Sequence, residues 1–344
     1  MPAASLAGPE PGTMSGPDEF GAALRRATGL RVVHGEPLAR HTSLGIGGPA
    51  DYFVSVPAVE PLIAAVRTAR RYGVPYLVIG NGSNLLVTDA GVRGLVINNR
   101  ADDARVIRLD ATGAELPPER AGEAVAGLWQ VDAGALFPTL ARRTVDAGWS
   151  GLEWGQSVPG TIGGGVVSNA GAHGGDLAGC LTRIWVLTPE DKVEEWPAAR
   201  LALGYRTSIF TAHGGRARRV PGAAPVILRV EVRLRPGDPA TGRRLMTEYL
   251  TQRRRTQPQG RSAGSTFKNP LPDYAGRLLE AAGMKGRQRG QAQFSPLHAN
   301  FMMNLGGARA ADVLALLALA RERVREMSGV ELETELEIVG EEDP

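Results

Sequence analysis

The sequence predicts an α+β protein of two or three domains, and three observations support this. The chain has 344 residues, about twice the length of a typical single domain. Short apolar runs bounded by turn residues, which are typical of strands, outnumber the segments with helical periodicity. The character of the chain changes near residue 241, where a basic helical segment begins.

In the first half of the chain the pattern predicts two helices among short strands. Apolar residues recur at helical spacing over residues 59–72, and Gly73 follows where a helix end favours a left-handed residue. A second helix is predicted over 137–147. Residues 110–124 are predicted as a hairpin excursion or mobile loop. Strands are predicted at 74–80, 85–87, 95–98, 105–109, 128–133, 183–187, 193–196 and 226–234.

The C-terminal part is predicted to be helical, with one closing strand. Helices are expected from about residue 241, over 274–282 and over 310–327, and a loop covers 257–270. Residues 329–340 alternate apolar and acidic side chains, which is typical of a strand with two faces. One face then carries Glu331, Glu333, Glu335 and Glu337, and mutual repulsion is expected to raise their pKa values.

Composition excludes several classes of protein. The charges nearly balance, with 39 Lys and Arg against 36 Asp and Glu, so composition does not indicate nucleic-acid binding. Cys180 is the sole cysteine, which excludes an intrachain disulfide and a thiolate metal cluster and suits a reducing, cytoplasmic compartment. No apolar run is long enough to span a membrane, and no metal site is expected. Residues 1–17, with four prolines and three glycines, are predicted to form a disordered leader.

Two glycine-rich segments are the candidate binding elements. Seven of the seventeen residues from 159 to 175 are glycine, and a second turn spans 79–87. Dense glycine allows a backbone to approach a ligand closely. Neither segment has the G-x-G-x-x-G spacing of a Rossmann fold or the G-K-S/T of a P-loop, so a cradle of backbone N–H groups for a phosphate-bearing ligand is predicted. One such loop alone is equally an ordinary structural turn, but two favour a ligand.

Six motifs in order along the chain carry a family resemblance. They are HTSLGIGG (41–48), IGNGSNLLV (79–87), SVPGTIGGGVVSNAGAHGG (157–175), GYRTSIF (204–210), AGSTFKNP (263–270) and LETELEIVG (332–340). The sequence thereby resembles the UDP-N-acetylenolpyruvoylglucosamine reductases. These flavoenzymes reduce the enolpyruvyl ether of a UDP-sugar during peptidoglycan precursor synthesis.

The resemblance implies a two-lobed FAD-binding fold of the vanillyl-alcohol-oxidase (PCMH) type and a separate α+β substrate-binding domain. The first lobe is expected over 18–84, joined by a C-terminal strand within 330–344, the second lobe over 85–245, and the substrate-binding domain over 246–329. The resemblance also implies non-covalent FAD, with NADPH as co-substrate. NADPH would reduce the flavin and leave, and the UDP-sugar enolpyruvyl ether would then occupy the same cleft.

The resemblance also implies roles for individual residues. Ser265 matches the family's proton donor, and Arg206 and Glu335 match the groups that stabilise the intermediate, with Glu333 as the competing assignment for Glu335. A guanidinium suits the pyruvyl carboxylate because it pairs with it through two hydrogen bonds. Expected FAD contacts are His41, Thr42, Gly80, Asn81, Gly82, Ser83, Asn84, Gly160, Thr161, Gly163, Gly164, Ser168, Asn169 and Gly171. Lys268 and Asn269 are expected to bind the UDP moiety, with Tyr205, Gln257 and the arginines at 253–255 as further candidates for substrate contacts.

One departure and two alternatives remain open at this point. A branch of the family closes a loop tyrosine over the substrate, yet residues 211–246 contain no Phe, Trp or Tyr, so the chain resembles the branch without that loop. A flavin-dependent alcohol or sugar oxidase of the same fold class would keep both glycine segments but would not need Ser265 or Glu335. A non-catalytic nucleotide or nucleic-acid binder is suggested by the arginine clusters at 216–219 and 253–255, and the 5% aromatic content argues against it.

Overall fold

In the computed structural model, which describes residues 18–211 and 224–341, helices and short strands follow one another along the chain. The predicted leader at 1–17 and the arginine cluster at 216–219 lie outside the described residues. The helices are α1 (Glu19–Thr28), α2 (Val59–Arg71), α3 (Phe137–Asp146), α4 (Ile162–Ser168), α5 (Pro239–Thr256), α6 (Ala275–Ala281) and α7 (Ala310–Ser328). The strands are β1 (Val33–Pro37), β2 (Pro49–Val56), β3 (Tyr76–Ile79), β4 (Leu85–Val87), β5 (Val92–Asn99), β6 (Ala104–Leu109), β7 (Ala126–Asp132), β8 (Trp149–Ser150), β9 (Gly171–Ala172), β10 (Gly175–Asp176), β11 (Leu181–Leu187), β12 (Val193–Pro197), β13 (Val226–Pro236), β14 (Ser262–Ser265), β15 (Gln288–Arg289), β16 (Ala292–Phe294), β17 (Phe301–Asn304) and β18 (Glu337–Val339).

The first sheet has the strand order β1-β2-β5-β3, and α1 and α2 pack against it. Strand β5 runs parallel to both of its neighbours. Helix α2 presents Leu62 and Val66 to the core, where they meet Leu95 and Ile97 of β5. The C-terminal strand β18 pairs in parallel with β4, and Val339 joins the core beside this sheet. Towards its C-terminal end the chain therefore returns to the core beside the first sheet.

The second sheet is antiparallel, with the order β12-β11-β13-β7-β6, and β8 pairs with the end of β13. Helices α3 and α4 bury their apolar residues on it, including Phe137, Leu140 and Ile162. Residues 110–124 form an excursion between β6 and β7, with a turn in which Asp110 N–H donates to the carbonyl of Ala114. This turn agrees with the prediction of a hairpin excursion in the segment.

The third sheet is antiparallel, with the order β14-β17-β16-β15, and α6 and α7 share its core. Phe267, Phe294 and Leu317 are among the buried residues. None of the helices in the described ranges is long and apolar enough to cross a bilayer.

A sheet and a helix extend across two of the domain edges expected from the sequence. Strand β5 lies between β2 and β3, so the first sheet continues to Asn99, beyond the edge at residue 84. Helix α5 begins at Pro239 and runs through the edge at residue 245. Its Met246 is buried against Ala141 and Val145 of α3, which ties the helix to the second sheet. Both domain edges depend on which strands pair and which residues pack together. A local sequence pattern does not contain that information.

The predicted closing strand is much shorter than the alternation suggests. Only Glu337–Val339 form a strand, because the preceding residues bond to another segment: Lys268 N–H donates to the Glu333 carbonyl, and Glu335 N–H donates to the Thr266 carbonyl. Glu331 and Glu333 are exposed, whereas Glu335 and Glu337 are partly buried. The prediction of four glutamates sharing one strand face is therefore wrong.

Helix α4 was not expected, because glycine is a poor helix former. It starts at the N-cap Thr161, whose hydroxyl accepts a hydrogen bond from Gly164 N–H. A β-carbon at Gly165 would lie 2.5 Å from the Phe137 ring, and one at Gly163 would lie 2.6 Å from the Ala133 β-carbon. The glycines therefore let the helix backbone pack directly on α3 and the second sheet.

Candidate active site

The two glycine segments line a single cavity of about 670 Å³. A volume of this order suits a cofactor or drug-sized ligand. The third sheet contributes Ser265, and the segment before β18 contributes Glu335. The cofactor residues expected from the sequence that line this cavity are Gly80, Asn81, Gly82, Ser83, Asn84, Gly160, Thr161, Gly163, Gly164, Ser168 and Gly171.

The first glycine segment forms the turn between β3 and β4, and close packing explains its glycines. A β-carbon at Gly80 would collide with the Thr161 side chain, and one at Gly82 would collide with the His41 carbonyl. Gly82 also has a φ of +58°, which favours glycine. Asn81 Nδ2 donates to the Pro159 carbonyl over 2.7 Å. The two segments therefore contact each other directly at the cavity.

The lining fits a large flat cofactor that carries phosphate groups. Residues 80–84 and 157–172 contain no ionisable side chain, so their amide, hydroxyl and backbone N–H groups can face a diphosphate without a repelling carboxylate. Phe137, Trp196 and Phe210 add aromatic surface to the same cavity. The residues present are thus compatible with FAD. Within residues 18–211 and 224–341, no group of three or more His, Cys, Asp or Glu is arranged to hold a metal ion.

His41 and Thr42 were expected to contact the cofactor, but neither lines the cavity. The His41 ring stacks on Phe53 at 4.2 Å, and its Nε2 is 3.0 Å from Glu36 Oε1. The Thr42 hydroxyl donates to the Ile46 carbonyl. These contacts fix the segment against which Gly82 packs. His41 and Thr42 therefore stabilise a wall of the cavity without lining it.

Asn169 also lies outside the lining, although it was expected to contact the cofactor. It ends α4 in a left-handed conformation and is 3% exposed. Its Nδ2 donates to Asp176 Oδ2 and to the Gly204 carbonyl, and its Oδ1 accepts from Ala178 N–H. Asn169 therefore joins the glycine segment to the GYRTSIF segment, and its side chain is fully engaged within the fold.

Arg206 and Glu335 form an ion pair in the cavity wall. Arg206 Nε donates to Glu335 Oε1 over 2.7 Å, and Nη2 donates to the Gly171 carbonyl over 3.0 Å. The guanidinium is placed by a tight turn in which Gly204 and Thr207 exchange backbone hydrogen bonds and Arg206 adopts a φ of +52°. The side chains are only 24% and 17% exposed, so water screens the pair weakly.

Burial raises the pKa of Glu335 above its ordinary value. Arg206 and, more weakly, Lys268 act in the opposite direction, but they do not cancel the cost of desolvation. The expected direction of the shift is therefore correct, while the expected cause is wrong. Desolvation rather than repulsion by neighbouring glutamates disfavours the charged carboxylate.

Ser265 ends β14 and lies beside Phe301 of β17 in the cavity wall. Among the described residues, no group forms a hydrogen bond with its hydroxyl. The next residue, Thr266, accepts backbone hydrogen bonds from Glu335 and Leu336 through its carbonyl. This pairing brings the strand of Ser265 alongside the segment of Glu335.

Of the substrate candidates expected from the sequence, Gln257 and Arg253 line the cavity. Lys268 Nζ is 2.5 Å from Glu333 Oε1, and the Glu333 side chain is 71% exposed. Asn269 N–H donates to the Tyr205 hydroxyl over 3.3 Å. Tyr205 and Asn269 thus connect the GYRTSIF and AGSTFKNP segments, and Lys268 connects AGSTFKNP to the LETELEIVG segment.

Several residues that line the cavity were only weakly indicated, or not indicated at all, by the sequence. Arg253 lines the cavity, its Nη1 donates to the Ser157 carbonyl, and burial lowers its pKa. A run of arginines usually indicates a solvated helix face. The run at 253–255 therefore did not distinguish Arg253 from its two neighbours as a cavity residue. Glu337 and Trp196 also line the cavity. Trp196 lies in none of the six motifs. Glu337 lies in the motif LETELEIVG, where the alternating pattern grouped it with the other glutamates.

Comparison with known proteins agrees with this geometry. A family model described as the C-terminal domain of UDP-N-acetylenolpyruvoylglucosamine reductase matches residues 256–339, and one described as an FAD binding domain matches residues 50–195. The curated UDP-N-acetylenolpyruvoylglucosamine reductase of Rubrobacter xylanophilus is 42% identical over 307 residues, which cover 89% of this chain and 94% of that protein. That of Anaeromyxobacter dehalogenans is 44% identical over 318 residues, covering 90% and 88% of the two chains.

A solved structure shows the same architecture. The crystal structure of UDP-N-acetylenolpyruvylglucosamine reductase from Thermus caldophilus is 34% identical, with a TM-score of 0.69, and covers 90% of this chain and 99% of that one. The predicted fold class, a two-lobed FAD-binding fold with a separate α+β domain, is confirmed. With whole-chain relatives at this level of identity, the chain belongs to the UDP-N-acetylenolpyruvoylglucosamine reductase family.

Proposed function

We propose that this protein reduces UDP-N-acetylglucosamine enolpyruvate to UDP-N-acetylmuramate, with NADPH as hydride source and FAD as carrier, in peptidoglycan precursor synthesis. The observation that carries the proposal is that Ser265, Arg206 and Glu335 line the same glycine-walled cavity. They come from the third sheet, from the turn after β12 and from the segment before β18. The names of the curated relatives support the same reaction.

Bound FAD supplies hydride transfer between NADPH and the enolpyruvyl group. The glycine segments hold the cofactor without a covalent bond, through backbone N–H groups and neutral side chains such as Asn81 and Ser83. NADPH and the sugar nucleotide use the same cavity in turn. Only after the nicotinamide has left does the enolpyruvyl group meet Ser265.

Arg206 binds the pyruvyl carboxylate and stabilises the negative charge that develops when hydride reaches the terminal carbon. Its Nε and Nη2 are held by Glu335 and Gly171, and among the described residues no partner occupies Nη1. That nitrogen is therefore available to a substrate carboxylate. The fixed orientation of the guanidinium avoids reorganisation during the reaction.

Glu335, rather than Glu333, acts on the enolate-like intermediate. Burial raises the pKa of Glu335, so this carboxyl takes up a proton more readily than an exposed glutamate does, and its protonated form can donate a hydrogen bond to the developing charge. Glu333 is 71% exposed, pairs with Lys268 and does not line the cavity. The position of Glu333 is therefore not one from which it would act on the reacting atoms.

Ser265 gives its hydroxyl proton to the carbon next to the one that received hydride. A serine hydroxyl is a very weak acid, so the serine oxygen needs nearby positive charge as it loses the proton. Arg206 lines the same cavity, and Lys268 follows Ser265 by three residues. These cations stabilise the serine oxygen until it regains a proton.

The UDP moiety is bound near Gln257, Lys268, Asn269 and Tyr205. The Tyr205 ring is 47% exposed, and its hydroxyl is tied to Asn269 N–H. Residues 211–246 offer no Phe, Trp or Tyr for a closing loop, so Tyr205 is the aromatic side chain that we assign to the substrate mouth.

An absorbance spectrum of the purified protein tests the proposal. We expect a flavin band that NADPH bleaches without air and that the enolpyruvyl UDP-sugar restores. A colourless protein that cannot take up FAD would refute the proposal. A flavin that is reoxidised by oxygen but not by the sugar nucleotide would instead indicate an oxidase.

A further inference from the structure

The second acceptor of Arg206 belongs to a very short hairpin. Its strands are β9 and β10, in which Ala172 lies opposite Gly175 and Gly171 lies opposite Asp176. The Gly171 carbonyl accepts from Arg206 Nη2 over 3.0 Å. Because an isolated two-stranded hairpin is marginally stable at best, this one needs support from the rest of the fold.

The base and the tip of the hairpin are supported by different contacts. At the base, Asn169 Nδ2 donates to Asp176 Oδ2. Next to the turn, Gly175 packs against the Trp154 indole. The tip is a two-residue turn of His173 and Gly174 with φ values of +53° and +80°, as in a type I′ turn. A helix that is distant in sequence also supports the tip.

At the tip, the His173 ring stacks on the Tyr249 ring. The ring centroids are 4.1 Å apart and the planes differ by 12°. Neither ring lines the cavity, and both are partly buried. Tyr249 is on α5, and Arg253, four residues later, follows on the same face of the helix and does line the cavity, as does Gln257, which caps the end of the helix.

We propose that the His173–Tyr249 stack is a positioning device that fixes the β9–β10 hairpin against α5. It holds the Gly171 carbonyl where that group orients the Arg206 guanidinium toward Glu335. The two rings therefore act on the reaction through Arg206 and touch no reacting atom. The kinetic part of this inference rests on the proposed function, whereas the mechanical part does not.

Hydrogen exchange measured by mass spectrometry on the FAD-loaded protein tests the mechanical part. His173→Ala removes the stack, and His173→Phe keeps a ring that can stack on Tyr249. We expect faster amide exchange in a peptide covering 169–178 for His173→Ala and wild-type exchange for His173→Phe. Arg244→Ala, an exposed change on the same helix, is the matched control and leaves exchange unchanged.

Stopped-flow kinetics of the two half-reactions tests the positioning of Arg206. His173→Ala is expected to slow reoxidation of the flavin by the enolpyruvyl UDP-sugar about tenfold, the scale of one weakened charge-assisted hydrogen bond. Flavin reduction by NADPH stays within about twofold of wild type, because it does not use the Arg206 contact. His173→Phe restores the sugar step.

The pH profile of the sugar step separates positioning from general stability. Arg206 and Lys268 both lower the pKa of Glu335 against the burial that raises it. If the hairpin no longer holds Arg206, that pKa rises, and the profile moves to higher pH whichever form of Glu335 is active. Because neither variant has an imidazole at 173, the difference between Ala and Phe at that position does not report histidine titration.

Three results would overturn the inference. They are unchanged exchange in His173→Ala, equal losses in the Ala and Phe variants, and faster exchange with an unaltered sugar step. If the wild-type protein does not reduce the sugar nucleotide at all, the proposed function fails. The exchange comparison then still decides whether the stack fixes the hairpin.

Discussion

Replacing Ser265 by alanine separates the two half-reactions. The Ser265 hydroxyl has no hydrogen-bond partner among the described residues, so its removal leaves no buried group unsatisfied and is expected to change the free energy of unfolding by less than about 0.5 kcal/mol. Loss of a positioned proton donor typically costs roughly 10²- to 10⁴-fold in rate. We therefore expect sugar reduction to fall by that factor while NADPH bleaches the flavin at the wild-type rate.

Anaerobic stopped-flow absorbance at the flavin band measures both steps, and Ser262→Ala is the matched control. Ser262 begins the same strand, does not line the cavity, and its buried hydroxyl oxygen also lacks a partner among the described residues. We expect Ser262→Ala to leave both half-reactions unchanged. Equal loss of the two half-reactions in Ser265→Ala would mean that this serine supports the structure and does not deliver a proton.

Two further substitutions test the pair and the glycine packing. In Arg206→Lys, one ammonium replaces a guanidinium held at two nitrogens, so we expect about 10- to 100-fold slower sugar reduction. Because the lysine pairs more weakly with Glu335, the pKa of the Glu335 carboxyl rises further, and the pH profile of sugar reduction moves to higher pH. An unchanged pH profile would contradict this account. Gly165→Ala puts a methyl group 2.5 Å from the Phe137 ring, and we expect a loss of about 1–3 kcal/mol in chemical denaturation. Gly122→Ala, which meets no atom within 4 Å, serves as its control, and equal stability of the two variants would refute the packing argument.

Local sequence patterns correctly predicted those helices and strands that have apolar residues at regular spacing. Helix α7 and strands such as β13 have apolar residues at regular spacing, and the structure contains them within a few residues of the expected ranges. The strand-flanked turn at 79–87 was predicted correctly for the same reason, because its apolar neighbours and glycines are contiguous in sequence.

Elements that depend on distant partners were predicted poorly. Helix α4 forms despite its glycines, because they allow close contact with Phe137 and Ala133. The alternation over 329–340 suggested a full strand, yet backbone bonds to Thr266 and Lys268 replace a ladder over most of it. Asn169 looked like a ligand donor in sequence, yet its side chain is bonded within the fold, to Asp176, to Ala178 and to the distant Gly204. In each case tertiary contacts override the local signal.

The site itself is a product of these long-range contacts. Ser265 is supplied by the third sheet, Arg206 by the turn after β12, and Glu335 by the segment that leads into β18, beside the first sheet. The backbone bond from Glu335 to Thr266 and the side-chain bond from Arg206 to Glu335 join these three sources. Since neither bond lies within a single sheet, docking of the three sheets and assembly of the site are one event. A substitution that loosens the docking should therefore affect sugar reduction before it unfolds any one sheet.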